Sequence, residues 1–361
     1  MRAYLDHNAT SPLRPVVKAA MLVAMETGGN ASSVHAEGRA ARKLADDARE
    51  ALALALGCLP QMIVFTGSGT EANNMALRGV EAERLLVSAV EHPSVLAAAT
   101  ASGKRVERIP VDGNGVVDLA ALRRMLGGPN VLVSVMLANN ETGVIQPVAD
   151  IVALAREFGA LVHVDAVQGF GKLPVNFGLL GCDLLTVAAH KVGGPVGIGA
   201  LVIRDGLAVA PLLHGGGQEL RRRAGTENLA AIAGFAAAAA EKRLEIKNLR
   251  QQIESSLQDA VIFGAAVERL PNTVCFAVPG MKAETLLMNF DLDGVAVSSG
   301  SACSSGKVAR SHVLEAMGVA PEISSAAIRV SLGWNSTAAD VQHFTTVWNK
   351  LLSRHRARKA A

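Results

Sequence analysis

The sequence predicts an α/β protein: a large domain on a mostly parallel seven-stranded sheet, joined to a smaller α+β domain. Three observations carry this. Short apolar runs alternate with helical patterns from about residue 16 to 247, which implies a largely parallel, doubly covered sheet. An acid, Asp165, and a lysine, Lys191, close two of these runs. Beyond an Ala-rich stretch from 229 to 257 the strand spacing changes, marking a second unit.

Seven strands are expected at 62–65, 84–88, 105–109, 131–137, 161–165, 184–188 and 198–203, with helices such as 39–56 and 148–158 between them. Residues 229–257 read as one long helix. Strands at 273–277, 295–298 and 326–332 with flanking helices build the smaller unit. Residues 16–247 are thus assigned to the large domain, and residues 1–15 with 248–361 to the small one. The chain has 361 residues, too many for one small core. Half are hydrophobic but only 3% aromatic, so the interior is Ala, Val and Leu.

A net charge of +3 argues against a nucleic-acid binder. The longest apolar run, from Leu229, is too short and weakly apolar for a membrane span. Met1 to Asp6 show no signal-peptide core. Cys58, Cys182, Cys275 and Cys303 are far apart and form no CxxC pair, so neither a metal site nor a disulfide framework is signalled. The reading is a cytoplasmic protein in a reducing compartment.

The chemistry converges on one edge of the sheet. Parallel strands joined by crossovers end on the same side, where α/β proteins bind ligands. Asp165 and Gln168 lie at the end of one strand, His190 and Lys191 at the end of the next. A lysine able to form a Schiff base, with an acid opposite a pyridinium nitrogen, is what pyridoxal phosphate (PLP) requires. The turn Thr66-Gly67-Ser68-Gly69-Thr70 opens a helix after another strand, so free N–H groups at the helix start attract an anion such as phosphate, and Thr70 can add a hydroxyl. Taken singly, His92 in Glu91-His92-Pro93-Ser94 is a loop histidine, and Asn139-Asn140 are turn formers. At this edge the imidazole can stack on a flat ring, and an asparagine can meet a ring hydroxyl or a substrate carboxylate. Arg329 sits inside an apolar strand and needs a partner, either a structural acid or a substrate carboxylate. Cys303 lies in a Ser/Gly-rich stretch, 298–306, where a thiol is exposed and can travel, whereas the other three cysteines have apolar neighbours.

Together these segments resemble the cysteine desulfurases, class V of the fold-type I PLP-dependent enzymes. The likeness runs nearly the whole chain, from Tyr4-Leu5-Asp6-His7-Asn8-Ala9-Thr10 through 29–39, 214–219, 223–228 and Pro271-Asn272-Thr273. The stretch Ser298-Ser299-Gly300-Ser301-Ala302-Cys303 is similar to the group that feeds iron–sulfur cluster assembly. The resemblance implies that Lys191 carries PLP, Asp165 partners its ring nitrogen, Gln168 bonds the ring hydroxyl and His92 stacks and acts as acid/base. It implies that Gly69, Thr70, His190 and, from a second protomer, Thr226 hold the phosphate, making a homodimer. Asn140 and Arg329 would grip the carboxylate of L-cysteine, and Cys303 would take its sulfur for a sulfur-acceptor protein. No metal is expected. Two departures stand out. Ala188 replaces a serine that ordinarily holds phosphate, which implies weaker PLP binding, and Lys307-Val308-Ala309-Arg310 replaces a run ending in proline. Selenocysteine lyase, an aminotransferase for small amino acids and a protein that keeps PLP only structurally are the alternatives. Neither a transaminase nor a purely structural holder of PLP uses Cys303.

Overall fold

A computed structural model describes residues 2–242, 246–300 and 310–360. Its largest sheet has seven strands, as the apolar runs predict: β2 (Ile63–Thr66), β3 (Arg84–Ser88), β4 (Arg105–Ile109), β5 (Val131–Met136), β6 (Leu161–Asp165), β7 (Leu184–Ala188) and β8 (Gly199–Ile203). β1 (Ala3–Tyr4) precedes them in the chain. The spatial order is β2-β8-β7-β6-β5-β3-β4. β8 runs antiparallel to both neighbours, and all other pairings are parallel. The reversed β8 therefore leaves β2, β6 and β7 pointing the same way, and their C-terminal ends share one edge.

Alternation along each strand fills both faces. Ile63, Phe65, Val133, Val162, Val164, Leu185 and Val187 pack with Leu52, Ile151 and Phe235 on one side. Val64, Leu85, Val87, Leu132, Leu184 and Leu201 pack on the other, against Met75, Ala76, Val95 and Ala98. These last four come from α3 (Gly69–Gly79) and α4 (Pro93–Thr100); α1 (Pro15–Thr27) and α2 (Ala36–Leu56) precede them and pack against a helix at Leu229–Ala239.

The expected single helix over 229–257 is two helices, Leu229–Ala239 and Lys247–Ser256. The break falls where the burial target changes. Ile232 and Phe235 enter the core of the large sheet, whereas Ile246 and Ile253 enter a separate core. One straight helix cannot serve both.

That separate core lies on four short strands, β9 (Val261–Ile262), β10 (Thr273–Ala277), β12 (Ser298–Ser299) and β13 (Ile328–Ser331), in the order β12-β13-β10-β9. Between them in the chain, β11 (Val295–Ala296) pairs in parallel with β1. Phe290 stacks on Phe344, with centroids 5.4 Å apart, and Trp348 meets Phe276 edge-on.

The chain's first residues connect the two cores. β1 joins β11, and Asp6 bridges to Ser331. The backbone then crosses over, with Ser11 N–H bonded to His190 O at 2.8 Å and Arg14 N–H to Gly193 O at 2.9 Å. At the crossing sits Asn8, 1% exposed. Its side chain donates to Thr273 Oγ1 and Asn140 O, and accepts from Lys172 Nζ and Asn272 Nδ2. Asn8→Ala leaves several buried polar groups unmatched, so a loss of roughly 2–5 kcal/mol is expected in urea unfolding. A loss below about 1 kcal/mol would show that the crossing is held by β1 and the backbone alone.

Candidate active site

The shared edge opens into a cavity of about 280 Å³. Nine of the residues anticipated from sequence line it: Gly69, Thr70, His92, Asn140, Asp165, Gln168, His190, Lys191 and Arg329. Thr226 is not among them. It is exposed and lines a neighbouring cleft with Gly67 and Arg223. Cys303 lies outside the described residues, as do Lys307, Val308 and Ala309.

The glycine turn is held by its own side chains. Ser68 caps α3 by accepting from Glu71 N–H at 3.1 Å, and Glu71 Oε2 accepts from Gly67 N–H at 2.7 Å. This directs the positive end of α3 into the cavity. Gly199 at the start of β8 makes the approach possible, since a Cβ there would stand 2.7 Å from Gly69 N. Beside this turn Ala188 lines the cavity with a methyl group. Thr186, two residues earlier, does not replace the missing hydroxyl, because its Oγ1 lies 3.0 Å from His163 Nε2. His163 in turn meets Ser134 Oγ through Nδ1, and burial pushes its proton affinity down to a pKa of about 4.

Asp165 is buried at the end of β6. Its carboxylate accepts from Val167 N–H at 3.0 Å and Asn73 Nδ2 at 2.8 Å, and among the described residues it has no ion-pair partner. A buried carboxylate with only neutral donors fits a cationic ring nitrogen in the cavity. Lys191 Nζ donates to Asn8 O at 2.6 Å and Ala9 O at 2.8 Å. Gln168 Nε2 shares Asn8 O, and its Oε1 accepts from Lys172 Nζ at 2.7 Å. His190 is pushed down to about 4 by burial first and then by Lys191.

Both partners weighed for Arg329 have room. A structural acid is present, Asp6, at 2.7 Å from one terminal nitrogen, and Asn140 O lies 3.1 Å from the other. Yet Nε finds no acceptor among the described residues, although the side chain is buried and lines the cavity. The unmatched donor suits a carboxylate ligand. Asn139 proves to be the turn former, its Oδ1 accepting from Glu141 and Thr142 N–H. Burial raises the thiols of Cys58 and Cys182 to about 11 and 12 and pushes Cys275 higher still, which fits packing roles.

Sequence reasoning gave no role to Asn8, Asn73, Ser94, Lys172 or Glu141. All are buried, but an amide or an acid shows its partners only in three dimensions.

Several comparisons bear on this geometry. The family description "Aminotransferase class-V" matches residues 3–344. A protein of Dictyoglomus turgidum named cysteine desulfurase IscS is 40% identical over 374 residues, covering 98% of this chain and 95% of its own. An IscS-like cysteine desulfurase of Mycobacterium tuberculosis is 40% identical over 386 residues, covering 99% and 98%. Among solved structures, a NifS-like protein from Rickettsia africae superposes with a TM-score of 0.91 at 36% identity, covering 98% of this chain and 100% of its own. A structure described as SspA in complex with cysteine has a TM-score of 0.83 at 30% identity, covering 93% and 100%.

Glu141, which follows the cavity-lining Asn140, is a buried and pH-sensitive acid. Ser311 Oγ donates to it at 2.5 Å, and burial, opposed by that bond and by Arg329, raises its pKa to about 7. The folded protein therefore holds this proton more tightly than the unfolded chain. The contribution is complete below about pH 4.5 and is lost as pH rises through about 7. Between pH 5 and 8 the wild type should lose about 2–3 kcal/mol relative to Glu141→Gln in urea unfolding. A difference that does not vary with pH would place an ionised carboxylate there throughout.

Proposed function

We infer, since the chain belongs to the aminotransferase class-V family and its relatives at 40% identity are cysteine desulfurases, that it is a PLP-dependent L-cysteine desulfurase. The observation that carries this reading is the convergence of Lys191, Asp165, His92 and Arg329 on one cavity. The residues present fit the cofactor: a buried carboxylate with no cationic partner among the described residues, a lysine just after β7 and the positive end of α3 face the same space.

In this reading Lys191 is the attachment point, Asp165 meets the ring nitrogen and Gln168 the ring hydroxyl. Gly69, Thr70 and His190 hold the phosphate, and His92 covers the ring and moves protons. Bound PLP supplies an electron sink that makes the substrate's Cα–H acidic. Arg329 and Asn140 fix the substrate carboxylate, which orients the thiol outward. Cys303 takes the sulfur: the substrate's C–S bond breaks, an S–S bond forms on Cys303, and L-alanine leaves. The persulfide then passes its outer sulfur to an acceptor protein, and iron–sulfur cluster assembly is the use we propose.

We further propose a cytoplasmic homodimer in which Thr226 completes the partner's phosphate site. The apolar face of α1 supports a dimer, with Leu22, Val23 and Met25 all more than half exposed. Thr226, exposed and outside this protomer's own cavity, supports the exchange. The three described cysteines are unpaired, in keeping with a reducing compartment.

The test is alanine release from L-cysteine with and without reductant. Wild type should release alanine and carry a persulfide. Cys303→Ser should bind PLP and cysteine but form neither product above background, and Lys191→Ala should lose the borohydride-reducible adduct. Full turnover by Cys303→Ser, or reduced PLP found on another lysine, would refute the assignment.

Ala188 gives a second test. A serine there would add one hydrogen bond to a charged phosphate, worth roughly 1.5–3 kcal/mol. Ala188→Ser should therefore bind PLP about tenfold or more tightly than wild type in titrations of apo protein at equal dimer concentration. Equal affinities would mean that another group already fills that position.

A further inference from the structure

Asp165 and His92 stand at the ends of different strands, yet an unbroken chain of hydrogen bonds connects them. Asn73, on α3, is 1% exposed. Its Nδ2 donates to Asp165 Oδ2 at 2.8 Å and to Ser94 Oγ at 2.9 Å. Ser94 lies in the first turn of α4, where His92 is the capping residue. Its backbone N–H donates to His92 Nδ1 at 3.1 Å, and its Oγ lies 2.7 Å from the same nitrogen.

The direction of every bond in this chain follows from donor inventory. An amide nitrogen has two protons and no acceptor capacity, so both bonds from Asn73 Nδ2 run outward. The opposite amide orientation would set its oxygen against the Asp165 carboxylate. The orientation observed is held at a cost, since Asn73 Oδ1 is buried without a partner among the described residues. His92 Nδ1 receives a backbone N–H, so it offers a lone pair and carries no proton. Ser94 Oγ already accepts from Asn73, and its own proton is left for Nδ1. The proton of the neutral imidazole then belongs on Nε2.

We propose that Ser94, held by Asn73, is a positioning residue that fixes His92 as the Nε2–H tautomer and ties its ring to Asp165. The acid/base of the cavity thereby presents a proton, not a lone pair, at Nε2. Among the described residues, the charged and titratable groups facing His92 are Asp165 from β6, Lys191 and His190 after β7, and His312, the first residue of the helix His312–Ala316, whose Nε2 donates to Glu91 O at 2.8 Å. Burial is the main influence lowering the proton affinity of His92; Asp165 opposes it, and Lys191 and His312 add to it. The inference rests on His92 acting as the acid/base of the proposed desulfurase.

Histidine ¹⁵N NMR tests the tautomer directly, on apo and PLP-loaded protein alike. Nine histidines contribute signals, and His92→Gln identifies the one that matters. In wild type, Nδ1 of His92 should be unprotonated and Nε2 protonated. Ser94→Ala removes one of two donors to Nδ1, so the ring's proton affinity should rise about two- to tenfold, the worth of one neutral hydrogen bond. Ser94→Thr keeps the hydroxyl and should restore the wild-type midpoint. In alanine release, Ser94→Ala should lower kcat several-fold with KM for cysteine unchanged. A protonated Nδ1 in wild type, an unmoved midpoint in Ser94→Ala or a failure of Ser94→Thr to restore it would overturn the proposal. If wild type released no alanine, the desulfurase reading would fall while the apo-protein tautomer result stood, so the two failures are distinguishable.

Discussion

The main-chain carbonyl of Asn8 is where this structure is pinned. It accepts from Lys191 Nζ at 2.6 Å and Gln168 Nε2 at 2.9 Å, two groups assigned to the cofactor. The side chain of the same residue satisfies Lys172 and Asn272 as donors, and Thr273 and the Asn140 carbonyl as acceptors, while its N–H donates to Ser331 Oγ. Buried polar groups that lose a partner are costly, so none of these residues can shift alone. The lysine of the large sheet, the strand that carries Arg329 and the turn that carries Asn140 are therefore set relative to one another by a residue near the chain's start. Lys172 is the extreme member. It is buried, bonded only to amide oxygens, and burial first, then Lys191 and Arg329, hold its proton affinity well below the lysine range.

A second polar layer lies in the sheet itself. Ser134, His163 and Thr186 sit on adjacent strands β5, β6 and β7 and form a continuous side-chain ladder. His163 is kept neutral by burial, so the ladder is a set of dipoles and not of charges. It has a consequence two residues along β7. With Thr186 committed to His163, the strand offers no hydroxyl to replace the one that Ala188 lacks, and in the proposed reading the phosphate is left to the start of α3 and to His190.

What could be read from sequence was whatever announces itself locally. Apolar runs gave the seven strands to within a residue or two, and strand ends gave Asp165 and Lys191. A strand-turn-helix glycine pattern gave Gly69 and Thr70. The break between Leu229–Ala239 and Lys247–Ser256 was missed because no Gly or Pro marks it; the helix stops where its two halves bury into different cores. Arg329 was legible as a buried cation in need of a partner, yet Asp6 lies 323 positions away and only the pairing of β1 with β11 and of Asp6 with Ser331 brings it near. Asn73 and Ser94 carry no local signal of a role. Their meaning depends on α3 and α4 packing side by side at the edge where β6 ends.

The electrostatics of the cavity wall then follow from burial more than from charge count. His190 is driven to about 4 by burial, and His92 is lowered as well; His7, buried outside the lining, is also driven to about 4. Near neutral pH these imidazoles are donors and acceptors with fixed orientation and carry no positive charge. Attraction for an anionic cofactor or substrate must come from Lys191, Arg329 and the positive end of α3, all of which line the cavity. In the proposed reading two anionic groups are sorted: a phosphate to the helix end, where small residues Gly69 and Ala188 leave space, and a carboxylate to Arg329, whose Nε has no acceptor among the described residues. Keeping His92 and His190 neutral avoids a third cationic centre that would compete for either anion.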